Sequence, residues 1–215
     1  IDLVVTSPPY DDLRTYGGHS WDFFGVAWQL KRVLKPGGVI VWVVADATKD
    51  GSETGSSMEQ ALHFRRLGLN LHDTMVWAKP NPRPTQNNRY ETAWEYVFVL
   101  SAGTPKTVNL LREPSKCAGG TRTKHRSKGG AAEDNDEGQY TYSDTKILRN
   151  VWEIGLGTDG AGHPAAYPEE LAAKHIQTWS APGDLVLDPF TGSGTTAKAA
   201  KELGRRFLGL EINPE

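Results

Sequence analysis

Apolar positions along this chain fall into two kinds of stretch, short unbroken runs and longer runs at helical spacing. Residues Asp2–Val5 form a short β-branched run followed by turn formers, which predicts a buried strand. From Trp21 to Leu34 apolar side chains recur at Phe24, Ala27, Trp28, Leu30, Val33 and Leu34, the face of a helix that Lys35-Pro36-Gly37-Gly38 then stops. Val39–Val44 is almost wholly apolar, as a strand covered on both faces must be. Ser57–Leu67 reads as a helix ended by Gly68, and Leu71–Ala78 and Glu95–Leu100 read as strands. After a polar interval, Ile147–Ile154 predicts a strand, Pro168–Trp179 a helix, Leu185–Asp188 a strand, Ser193–Leu203 a helix and Phe207–Leu210 a last strand. Strands alternating with helices predict a mostly parallel α/β sheet, and no internal repeat interrupts the pattern.

The interval 101–150 differs in kind, being rich in Gly, Lys, Arg, Ser and Thr with little apolar periodicity. It reads as an insertion or loop rather than core. With 215 residues the chain has room for one domain and a small inserted lobe. Its longest apolar runs fall well short of the ~20 residues that span a bilayer, and no basic-then-apolar leader opens it. The lone Cys117 can form neither an internal disulfide nor a thiolate metal cage, so a reducing, cytoplasmic setting is expected. The chain opens at Ile1 inside a strand pattern and closes at Glu215 just after another, so further residues are expected beyond both ends. Formal net charge is −2, but the cations are clustered. Lys106, Arg112, Lys116, Arg122, Lys124, Arg126 and Lys128 are opposed only by Glu113, and clustering rather than total charge is the mark of a nucleic-acid footprint.

Two loops carry candidate chemistry. Asp188–Thr196 (DPFTGSGTT) joins a buried strand to a helix, and its glycines let the backbone approach a ligand at that helix's N-terminus. Glu211 ends the next strand, where a carboxylate can accept from both hydroxyls of a ribose. Gly192, Gly194 and Ala197 also satisfy the dinucleotide pattern, so this loop alone leaves a nicotinamide enzyme open. Thr6–Tyr10 (TSPPY) follows a buried strand directly, where open α/β sheets place ligands. Pro8 and Pro9 supply no N–H, leaving carbonyl acceptors beside the Ser7 hydroxyl and the Tyr10 ring. That set suits a planar heterocycle bearing an –NH2 group, and suits hydride transfer or phosphate poorly.

SPPY and the GSG loop together resemble the amino-methyltransferases that modify cytosine N4 or adenine N6 in DNA. The resemblance covers nearly the whole chain outside 101–150, and the catalytic loop precedes the cofactor loop, as in the β group of that family. It implies a Rossmann-like, circularly permuted sheet that binds S-adenosylmethionine, mostly parallel with an antiparallel edge strand. It implies three regions: a catalytic half at 1–100, a target-recognition insertion at 101–150 and a cofactor half at 151–215. Ser7, Pro8, Pro9 and Tyr10 would then hold the base. Asp188, Phe190, Gly192, Gly194, Thr195 and Glu211 would hold the cofactor, and His163-Pro164 resembles the segment that closes over its methionine end. The strand that normally precedes the catalytic one, with an acid near the cofactor's adenine, is not found in this chain.

The mechanism implied is direct transfer to the amine of a base flipped out of the duplex, without a covalent enzyme intermediate. Cys117 follows Lys116 rather than a proline, which argues against the cytosine-C5 route. Ser at position 7 favours cytosine N4, because the family's adenine enzymes more often carry Asp there; adenine N6 is the alternative. A non-catalytic DNA-binding relative is a second class, against which the intact SPPY and GSG loops speak. Double-stranded DNA is the expected partner, contacted by the 106–128 cations and by Arg89 in the polar cluster Asn87–Tyr90. A homodimer and a cognate restriction endonuclease are compatible partners, and a bacterial, archaeal or phage origin fits. The six histidines have no metal-ligand spacing, so no metal is expected, and Trp42, Trp77 and Trp152 read as core.

Overall fold

A computed structural model describes residues 1–9, 21–82, 89–123, 139–155 and 167–212. The chain divides into two compact units, one of residues 1–109 and 150–215 and a smaller one of Leu110–Arg149.

The larger unit is built on β1 (Leu3–Thr6), α1 (Phe23–Val33), β2 (Val39–Val44), β3 (Thr48–Lys49), β4 (Ser52–Glu53), α2 (Ser56–Arg66), β5 (Asn70–Ala78) and β6 (Trp94–Ser101). The smaller unit holds β7 (Arg112–Pro114), β8 (Thr121–Thr123), β9 (Gln139–Thr141) and β10 (Thr145–Ile147), paired β7 with β10 and β8 with β9. The chain then returns through β11 (Val151–Glu153), α3 (Glu169–Trp179), β12 (Leu185–Asp188), α4 (Thr195–Glu202) and β13 (Arg206–Gly209).

Among the described residues the central sheet has the order β11-β5-β6-β2-β1-β12-β13. Every neighbouring pair is parallel except those made by β6, which runs antiparallel to both β5 and β2. The mostly parallel sheet matches the sequence pattern. Its reversed strand, however, lies third from one edge, because Val151–Glu153 adds beyond β5 and takes the outermost place.

The strands at the centre are apolar on both faces because helices cover both. All of β2 is buried, and one face joins Val4, Ile40, Trp42, Val44, Phe98 and Leu100 to Ala27 and Leu30 of α1 and Phe64 of α2. Trp42 is fully buried and donates its indole N–H to Gln60 Oε1 at 2.8 Å, which removes the cost of burying that polar atom. Helices α3 and α4 pack against one another, burying Leu171, Ala172, Ile176, Ala199 and Ala200.

Within α3, His175 is fully buried and neither ring nitrogen has a hydrogen-bond partner among the described residues; its ring lies 4.7 Å from that of Trp152. Burial, with the Lys174 ammonium adding to it, holds the imidazole down to about 3 from 6.5. The native state therefore keeps His175 neutral where the unfolded chain takes up a proton. This contribution to stability is complete above pH 6.5 and is lost as pH falls towards 3. Urea unfolding should show this group removing about 1.4 kcal/mol per pH unit in that window. The slope should be absent from His175→Leu, and an unchanged slope in that variant would refute the assignment.

Candidate active site

From β1 the chain moves to β2 on one side; from β12 it moves to β13 on the other. The seam between β1 and β12 is thus a topological switch point, and the crevice beyond the carboxyl ends of such strands is where open α/β sheets bind ligands. Ser7-Pro8-Pro9 leaves the end of β1 and residues 189–194 leave the end of β12, so the two candidate loops flank this crevice. Pro8 is buried, while Ser7 and Pro9 are half-buried.

One buried carboxylate ties the loops together. Asp188, the last residue of β12, accepts from Thr6 Oγ1 at 2.6 Å and from Thr196 Oγ1 at 2.7 Å. It also accepts the Phe190 backbone N–H at 3.0 Å. Thr196 lies in the first turn of α4, and Thr6 is the last residue before Ser7. Since Thr196 gives its only proton to the carboxylate, the buried Tyr167 hydroxyl beside it is the donor in the Tyr167–Thr196 bond. Burial pushes the Asp188 carboxyl above its usual range, although the Thr6, Thr196 and Phe190 bonds pull it back. Burial, with the Asp188 charge nearby, pushes the Tyr167 hydroxyl up as well.

Beyond Asp188 the chain is shaped as a cradle. Gly194 precedes α4 with φ 87°, a conformation costly to any residue with a Cβ, and no side chain caps the helix there. The α4 N-terminus thus keeps main-chain donors available to a ligand. Glu211 follows β13, is exposed, and accepts the Gly192 N–H at 2.8 Å, which draws the loop and this carboxylate together. Among the described residues Thr191 Oγ1 is buried without a hydrogen-bond partner, an orphaned polar atom within the same loop. Phe190 is half-buried and stands edge-on to Trp21, ring centroids 5.2 Å apart. A glycine loop at a helix N-terminus with a carboxylate at the end of the next strand fits the ribose and backbone-binding ends of an adenosine cofactor.

Ser7, Pro8 and Pro9 follow β1, and Asp188, Phe190, Gly192, Gly194, Thr195 and Glu211 lie at the end of β12, the start of α4 and just after β13. Tyr10, His163, Lys124, Arg126 and Lys128 lie outside the described residues. Lys116 is exposed in the smaller unit, which also holds Arg122. Lys106 lies at the opposite, amino edge of the sheet, where its N–H donates to the Gly37 carbonyl. The reversed β6 delivers the chain there, about 20 Å from the carboxyl edge at ~3.3 Å per strand residue. Arg89 donates to the Gly51 carbonyl and stands 4.0 Å from Glu53. Sequence reasoning passed over Tyr167, and it passed over Asp46, whose carboxylate accepts the Ser57 N–H and hydroxyl at 2.9 and 2.5 Å. Asp46 does have a signal, an acid followed by Ser56-Ser57 at a helix start.

Fold and cradle together fit an α/β enzyme that binds a nucleoside-containing cofactor. The family model for N6/N4 enzymes, described as DNA methylase, matches residues 1–215. The chain is 46% identical over 225 residues to the orphan methyltransferase M.BamHII of Bacillus amyloliquefaciens, covering 100% of this chain and 85% of that protein. It is 32% identical to the Type II methyltransferase M.BglII of Bacillus subtilis, over 100% of this chain and 61% of the relative. Among solved structures it resembles the cytosine-N4-specific PvuII DNA methyltransferase, with a TM-score of 0.72 and 22% identity over 100% of this chain and 76% of that one. It also resembles M1.HpyAVI in its complex with S-adenosylmethionine, with a TM-score of 0.64 and 23% identity over 99% of this chain and 83% of that one. The chain belongs to the N6/N4 DNA methylase family and is an S-adenosylmethionine-dependent DNA methyltransferase.

The Asp188 hub predicts a pH-dependent cost for Thr6→Val, which keeps shape and removes the donor. An under-satisfied buried acceptor costs about 1–3 kcal/mol. Because the native Asp188 pKa lies above 3.8, its contribution to stability shrinks as pH rises through the native value. Loss of Thr6 raises that pKa further. The stability gap between wild type and Thr6→Val, from denaturant titrations, should therefore be small near pH 4 and widen towards pH 7. A gap that is flat with pH would refute it.

Proposed function

We propose that the chain transfers a methyl group to the exocyclic amine of a base turned out of double-stranded DNA, with cytosine N4 as the favoured target. The supporting observation is that Ser7-Pro8-Pro9 leaves β1 beside the glycine loop that follows β12, across one switch-point seam. S-adenosylmethionine, when bound, supplies an electrophilic methyl on a sulfonium centre. The chain's residues position and desolvate the acceptor. The Ser7 hydroxyl and the Pro8 carbonyl accept from the target –NH2, which draws the nitrogen lone pair out of conjugation with the ring. Pro9 stiffens the loop, and Tyr10, by resemblance to the family, stacks on the base. Transfer then depends chiefly on orientation.

In the cofactor cradle, Glu211 accepts from the ribose hydroxyls, Gly192 and Gly194 allow close backbone approach, and Thr195 presents the α4 N-terminus. Phe190 lines the wall, and His163, by resemblance, closes over the methionine end. Asp188 acts through the loops it joins, because its oxygens are already taken by Thr6, Thr196 and Phe190. The Leu110–Arg149 unit serves target recognition, with Lys116, Arg122, Lys124, Arg126 and Lys128 following phosphates. Lys106, at the other edge of the sheet, has no part in this. Ser7 favours cytosine N4; adenine N6 is the alternative.

Nucleoside mass spectrometry on unmethylated DNA incubated with the protein and cofactor tests the proposal. N4-methylcytosine is expected; N6-methyladenine would keep the mechanism and reverse the assignment from Ser7. No methylated nucleoside, with cofactor bound, would refute DNA as substrate. Separately, Glu211→Ala should weaken cofactor binding about 10- to 100-fold, the worth of charge-assisted hydrogen bonds, as read by calorimetry.

A further inference from the structure

The hairpin β3–β4 is built more firmly than its length requires. Its two-residue turn, Asp50-Gly51, has φ of 50° and 79°, the left-handed pair of a type I′ turn that matches strand twist. At its base the Thr54 N–H donates to the Ala47 carbonyl at 2.9 Å. Asp46, just before it, accepts from Ser56 Oγ at 3.2 Å and Thr54 Oγ1 at 3.3 Å in addition to Ser57. At its tip Arg89 donates to the Gly51 carbonyl. A ribbon held at both ends keeps one orientation, yet Thr48, Lys49, Ser52 and Glu53 are all exposed.

Its place gives that rigidity a use. Thr6 is level with Trp42, so β2 runs on through Val43 and Val44 at the same carboxyl edge where Ser7–Pro9 leaves β1, and the ribbon begins at Thr48 just beyond. A duplex presenting a flipped base to Ser7–Pro9 lies across this same carboxyl edge, and the ribbon projects from it. The major groove, ~12 Å wide, admits a two-stranded ribbon. The ribbon's side chains are mixed. Lys49 can donate, Asp50 and Glu53 can accept, and Thr48 and Ser52 can do either. Lys, Ser and Thr also donate to phosphates, but the carboxylates Asp50 and Glu53 would be repelled there, whereas donors and acceptors side by side match the pattern on base edges.

We propose that the 48–53 ribbon enters the major groove beside the flipped base and reads base edges there, as a specificity element separate from the Leu110–Arg149 unit. This rests on the DNA-methyltransferase reading of the site. The test uses the full chain with cofactor and plasmid DNA whose methylated positions have been mapped for the wild type. Asp50→Cys, in a Cys117→Ser background and carrying a photoactivatable azidophenacyl group, should cross-link to DNA within a few base pairs of the methylated base. Lys49→Ala combined with Ser52→Ala should raise KM for DNA about 5- to 100-fold, the worth of one base-edge contact, or relax preference at one position flanking the target. Cofactor affinity and thermal midpoint should stay within about twofold and about 2 °C of wild type, as expected for changes confined to an exposed surface. Wild-type methylation with no cross-link near the target, unchanged KM and unchanged site preference would overturn the ribbon's role alone. No methylation by the wild type would overturn the reading of the site and the ribbon's role with it.

Discussion

Asp188 is the point on which the working end of this molecule depends. It joins the loop after β1 to the loop after β12 through residues 182 positions apart, Thr6 and itself, and reaches α4 through Thr196. Backbone pairing between the two strands covers only Leu3–Val4 against Val186–Leu187, so the seam at its carboxyl end is closed by side chains. A low dielectric makes such a network strong when every member is satisfied and costly when one is not. Each member here is a polar side chain with one task. Tyr167 donates to Thr196, Thr196 donates to Asp188, and Thr6 donates to the other carboxylate oxygen. The donor order is determined by the acceptor-only carboxylate at its end.

The same arrangement explains the division of labour around the cradle. The buried carboxylate at the end of β12 uses its acceptors on protein groups, whereas the exposed one after β13, Glu211, accepts from the Gly192 N–H. Two acids at the ends of neighbouring strands thus have different fates, decided by burial. Asp188 joins the two loops, and Glu211 stands exposed beside the glycine loop that it holds through Gly192.

Much of this was legible in the sequence because burial on both faces leaves an unmistakable apolar run. Val39–Val44 and Leu185–Asp188 are strands at the boundaries their composition predicts, and both loops of chemistry sit at strand ends as their glycines and prolines require. Other features were hidden for identifiable reasons. Ile147–Ile154 is one apolar pattern but two strands, β10 and β11, because residues between them pass from the Leu110–Arg149 unit to the main sheet. The ribbon's strands are only two residues long and polar, so periodicity says nothing, although Asp50-Gly51 announces its turn. Tyr167 finds its partner 29 residues downstream, and spacing does not encode that choice. Lys106 falls in the cationic run of the sequence, yet strand direction, which composition does not reveal, places it at the amino edge of the sheet.

The reversal of β6 has a further consequence for how this scaffold can vary. A parallel neighbour would need a crossover of a dozen or more residues, usually a helix, returning the chain to the opposite rim. By turning back on β5, the chain instead begins and ends the 79–93 connection at the carboxyl rim, so no crossover helix has to be refitted when its length changes. A single antiparallel strand thereby gives the working face a loop that can be lengthened or exchanged while the core stays untouched. Length and composition can therefore change at that rim at little risk to folding.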